Sequence, residues 1–117
     1  MLKKIFLLII VFLSLKATAQ TLIYNELLQA HVTKEGIVDY KNFNQKKLRL
    51  YLTSLEKITP KTTWPKDKKK AFWINVYNAY TLQIILDNYP LTSIRTIKKE
   101  GNTAWKIPFV KVGNQTY

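Results

Sequence analysis

Two asparagines three residues apart, Asn75 and Asn78, sit inside the run Ala71-Phe72-Trp73-Ile74-Asn75-Val76-Tyr77-Asn78-Ala79-Tyr80-Thr81. Each amide brings two donors and an acceptor with two lone pairs, and burying one without partners costs about 1 to 3 kcal/mol. Read as a helix, the run is apolar on nearly every side, so it is expected inside a domain. At about 100° per residue, Leu82 and Leu86 flank Asn75 at about 20° on either side, and Ala71 and Ala79 at about 40°. Asn78 falls on the same stripe near Ile85, and the opposite face carries Trp73, Tyr77, Tyr80 and Ile84. Both faces then need cover. Two roles are open for the pair: tying down loop backbone as a buried polar network, or lining a pocket and orienting a substrate or a catalytic group, with Asp39 and Tyr40 as further candidates.

Other constellations carry less. His31, Glu35 and Asp39 recur at intervals of four and would align as metal ligands on a continuous helix, but Gly36 and the β-branched pair Ile37-Val38 interrupt it, so no metal site is expected. One histidine and no cysteine exclude a local Cys-His pair or cysteine-zinc cluster in this chain, and there is no Gly-rich phosphate loop. No cofactor is expected, and no complete catalytic constellation is present. Lys66, Lys68, Lys69 and Lys70, with Lys46, Lys47, Lys98 and Lys99 elsewhere, form a basic set whose partner would be the anionic envelope surface, acidic lipid headgroups or acidic polysaccharide, bound weakly. The alternative is a solvated face, because lysines in a first helical turn oppose the helix dipole. Asn114-Gln115-Thr116 matches a glycosylation sequon and reads equally as a polar turn.

Met1 to Gln20 has the three parts of a secretory signal: Lys3 and Lys4, an apolar core from Ile5 to Leu15, and Ala17-Thr18-Ala19 before Gln20. Cleavage near Ala19 and a periplasmic or extracellular product are expected. The core falls short of the ~20 apolar residues a spanning helix needs, so no transmembrane segment remains after cleavage. Export also argues against nucleic acid as partner. Removing residues 1–19 from the 117 leaves 98, and taking Lys3, Lys4 and Lys16 from the net charge of +12 leaves +9. A domain of that size without cysteines depends on burial alone for its stability. Three tryptophans and seven tyrosines argue against disorder.

The remaining elements follow from periodicity and punctuation. Leu22, Ile23, Leu27 and Leu28 predict a short amphipathic helix, turned at Gly36 into a brief extended segment, Ile37 to Tyr40. Asn44 is a candidate N-cap for a helix from Gln45 to about Lys57, with Phe43 and Leu48 as a staple and Leu48, Tyr51, Leu52, Leu55 and Ile58 as its apolar face. Pro65 opens the central helix, expected over about 66–87 and stopped by Asn88-Tyr89-Pro90. Thr92 to Lys99 holds at most one helical turn, and Gly101-Asn102 marks a bend. Trp105 to Val112 reads as an edge strand, and Gly113-Asn114 as the turn of a hairpin whose second strand starts at Gln115.

The run from Ala71 to Thr81, then Tyr89-Pro90 and Ser93-Ile94, closely resembles the bacterial and plant family called domain of unknown function 547. Gly36-Ile37-Val38-Asp39-Tyr40, Trp105 and Val112-Gly113 extend the resemblance to about residues 24–117. Family members typically continue into an Ile-Glu-His element and later histidine and cysteine. The resemblance therefore implies that this chain is the N-terminal part of a larger domain, holding the scaffold and part of a pocket, with its hairpin incomplete. It implies no reaction. The fold expected is α+β and mostly helical, built around the central helix.

Overall fold

The computed structural model describes residues 22–117, so the segment expected to be a secretory signal lies outside the described residues. Two units are distinguished, divided after Asn42.

In the first, helix α1 covers residues 22–31. Its buried side chains are Tyr24 and Leu27, whereas Leu22 is exposed, so the apolar stripe begins two residues later than its leucines suggested. The amide of Asp39 donates to the His31 carbonyl at 2.8 Å and Val32 bridges Val38, which folds the chain back on itself. Gly36 makes this turn at φ +84. The helix has ended at His31, so Glu35 and Asp39 do not continue its face.

The second unit starts with α2, Gln45–Leu55. The Asn44 side chain accepts a hydrogen bond from the Lys47 amide at 3.0 Å, satisfying one of the free donors of the first turn. Leu48, Tyr51, Leu52 and Leu55 are buried at the expected spacing. Helix α3, Lys66–Asp87, follows Pro65 and ends at Asn88, whose side-chain Nδ2 donates to the Ile84 carbonyl at 2.8 Å. It packs against α2. Ser93 then caps a 3₁₀ turn, Ile94–Thr96.

Two small antiparallel hairpins complete the unit. Strands β1 (Lys98–Lys99) and β2 (Asn102–Thr103) pair through Glu100 and Gly101, both left-handed, at φ 53 and 80. Strands β3 (Lys111–Val112) and β4 (Gln115–Thr116) pair through Gly113-Asn114 as expected. The longer strand expected from Trp105 is corrected. Residues after Thr103 form a turn, with the amides of Lys106 and Ile107 both donating to the Thr103 carbonyl, and regular pairing starts only at Lys111. Ile97 and Ala104 are buried with Ile84 of α3, and Ile107 and Phe109 pack against them. The architecture is thus α+β and mostly helical.

The Tyr80 hydroxyl joins α3 to the second hairpin, donating to the Lys111 carbonyl at 2.9 Å. Burial raises its pKa above the ordinary phenol value, and Glu56 adds to the rise. A raised folded-state pKa means stability is complete below the unfolded value of about 10 and is lost as pH rises through the folded value. Tyr80→Phe is therefore expected to lose about 1 kcal/mol near neutrality and to show a shallower alkaline decline. Urea midpoints between neutral and alkaline pH check both, and parallel profiles would remove Tyr80 from the account.

Candidate functional site

Helix α3 buries Val76, Ala79, Tyr80, Leu82, Ile84 and Leu86. The expectation of cover on both faces, and of amides deep in the core, is corrected here. Asn78, Ala71 and Thr81 are exposed and Asn75 is half-buried; Ile74 and Tyr77 keep 50% and 49% of their surfaces accessible. The stripe through Asn75 is thus covered at its C-terminal end, where Leu82 and Leu86 lie, and open over its first two turns. The physical reason is the reach of the partners. The segment carrying Ile97, Ala104 and Ile107 covers the helix around Ile84 and Ile85, well past Asn78.

Asn75 and Asn78, three apart, are neighbours on the helix surface. Neither side chain hydrogen-bonds another described residue, and no polar side chain among the described residues is buried outright. Two unengaged amides next to Ile74 and Tyr77 make a surface that is apolar with convergent polar points. Amides do not titrate, so these groups can hold, orient and discriminate but cannot serve as acid, base or nucleophile.

An aromatic row flanks this surface. Trp64 meets Phe72 edge-on at 5.4 Å, Phe72 meets Trp73 at 5.4 Å, and Trp73 contacts Tyr77 at 5.9 Å and Tyr117 at 5.2 Å. Such ring contacts lock side-chain rotamers. They tie the start of α3 to Trp64 and to Tyr117.

Asp39 and Tyr40 belong to the first unit and Asn75 and Asn78 to the second. Asp39 is exposed, not part of a buried network. Its carboxylate accepts from the Asn42 side chain at 3.0 Å and the Asn42 amide at 3.3 Å, and these hydrogen bonds, with His31 and Lys41 nearby, hold its pKa below the ordinary value. Tyr40 is half-buried, which raises its phenol pKa.

The lysines of the α3 start divide in role. Lys69 donates to the Thr62 carbonyl at 2.7 Å, and Lys68 lies 4.3 Å over the Trp64 ring, so both brace the approach to the helix. Lys66 and Lys70 are exposed. A small cleft of about 120 Å³ lies at the first hairpin, lined by Lys99, Glu100, Asn102, Ile107 and Pro108, and takes none of the residues singled out above except Lys99. Among the described residues no cluster of acidic, histidine or cysteine side chains could hold a metal ion, and no helix is long and apolar enough to cross a membrane.

Sequence reasoning overlooked the open flank formed by Ile74 and Tyr77. Their spacing from Asn78 and Thr81 was the available signal, but apolar residues on every side of the helix concealed it. Residues 61–117 match the model of the family described as "Protein of unknown function, DUF547". No curated protein and no solved structure matches the chain.

Proposed function

We propose, from the premise that the chain belongs through residues 61–117 to the DUF547 family, that the open face of α3 is one wall of a binding site in an exported domain. Asn75 and Asn78 orient a ligand or a reacting group there, and Ile74 and Tyr77 supply its apolar floor. Further polypeptide supplies the remaining wall, residues 20–117 being the N-terminal part of a larger domain. The export pattern of residues 1–19 supports the location. No reaction is assigned.

The observation that carries this reading is the pair of amides, one exposed and one half-buried, that hydrogen-bond no other described residue. A scaffold asparagine is hydrogen-bonded to what it holds, and its loss leaves that partner unsatisfied. Asn75→Leu and Asn78→Leu should therefore each change unfolding free energy by less than about 0.5 kcal/mol, as surface substitutions do. Side-chain amide resonances of Asn75 and Asn78 in the labelled chain should move on titration with acetate or a small peptide amide. A stability loss above about 1 kcal/mol would establish the scaffold role instead.

A second reading, a non-enzymatic envelope-associated module that meets anionic surfaces through Lys66, Lys68, Lys69 and Lys70, draws on the exposure of Lys66 and Lys70. It is weakened by the local engagement of Lys68 and Lys69.

A further inference from the structure

The three tryptophans differ in one respect. Trp64 and Trp73 are held in ring contacts, whereas Trp105 is 67% exposed and touches no other ring among the described residues. Its neighbours on both sides are anchored: Ala104 is buried with Ile84 and Ile97, Ile107 packs on that cluster, and the Lys106 amide is bonded to the Thr103 carbonyl at 2.9 Å. The indole is thus carried outward on a fixed turn. Lys98 and Lys99 lie in the paired strands next to that turn, with Lys98 opposite Thr103, and Lys106 follows Trp105 directly. All three lysines are exposed, none is ion-paired among the described residues, and Glu100 is the single acid between Lys98 and Lys106.

We propose that the β1–β2 hairpin and the Trp105 turn form a docking surface for an anionic lipid bilayer, the indole entering the headgroup layer and Lys98, Lys99 and Lys106 pairing with lipid phosphates. The chemistry favours this occupant. A tryptophan with one apolar body and one free N–H suits the bilayer–water boundary, and clustered lysines suit its negative potential. A protein partner would call for a broad apolar patch, which one exposed indole with three exposed lysines on the neighbouring backbone does not provide. This inference is independent of the α3 site, since none of its residues lies on that helix.

The test uses the full chain with vesicles of phosphatidylcholine, alone or mixed equally with phosphatidylglycerol, and brominated lipid as a depth-sensitive quencher of tryptophan fluorescence. The apolar stretch from Ile5 to Leu15 is common to every variant, so differences between variants are what is read. Substituting Lys98, Lys99 and Lys106 together by Gln should weaken partitioning onto the anionic vesicles by about fivefold per lysine, on the order of a hundredfold in all. Trp105→Ala should weaken it about tenfold, and Trp105→Phe should sharply reduce the bromolipid quenching, leaving only the share of Trp64 and Trp73. The lysine effect should vanish at about 1 M salt, where the screening length is about 3 Å. Quenching unchanged in Trp105→Phe, or lysine variants that partition like the parent, would overturn the proposal. So would retention on an acidic polysaccharide by a chain that ignores the vesicles.

Discussion

Leu48→Ala should destabilise the protein by about 3 kcal/mol, while Leu50→Ala, two residues along the same helix, should change it by less than about 0.5 kcal/mol. Leu48 is fully buried in α2, which packs on α3, and Leu50 is 60% exposed. Truncating Leu48 removes its transfer free energy and leaves a void that backbone held in two packed helices closes only in part. A loss of that size is a large share of the 5 to 15 kcal/mol that small domains typically have. Urea denaturation followed by tryptophan fluorescence measures both variants. Equal losses would mean that α2 does not present the face described here.

Gly113→Val should lose about 3 kcal/mol, from two independent sources. Gly113 has φ +57, a region that a β-branched residue adopts only under strain. A Cβ at this position would also lie 3.0 Å from the Ile58 carbonyl oxygen, which is backbone and cannot swing aside as a side-chain end can. Escape is restricted further because the Gly113 amide donates to the Leu55 carbonyl at 3.2 Å, fastening the second hairpin to the end of α2. Gly101 separates the two contributions. Its φ is +80, but a Cβ there meets nothing within 4 Å, so Gly101→Ala should lose only about 1 kcal/mol. Gly113→Ala should lose more than Gly101→Ala in thermal melts, and equal losses would show that the approach to Ile58 is not energetically felt.

Much of the fold was legible where the deciding interaction is local. Asn44, Pro65 and Asn88-Tyr89-Pro90 bound α2 and α3 almost where they are found, because caps and missing donors act within a few residues. The turn at Gly113-Asn114 was legible for the same reason. The first hairpin was not, because its turn places Glu100 in a left-handed conformation that glutamate does not signal. The alternation of Trp105, Ile107 and Phe109 suggested a strand, but Ile107 and Phe109 serve the core around Ile84 while Trp105 faces outward from a turn. A short alternation is compatible with either geometry. At the candidate site the residues were legible and their environment was not. Asn75 and Asn78 were identified by amide chemistry in an aromatic helix, yet neither is buried.

The amino-acid sequence alone determined that a long helix starts at Lys66, stops at Asp87 and carries two amides on one stripe, since rise, period and capping follow from neighbouring residues. Only the tertiary structure decided that this stripe is covered near Leu82 and Leu86 and open near Asn75 and Asn78, and that Trp105 faces outward while Trp64 and Trp73 make ring contacts. Cover is a relation between segments distant along the chain. A helix apolar on every side carries no mark of which side its partners will reach.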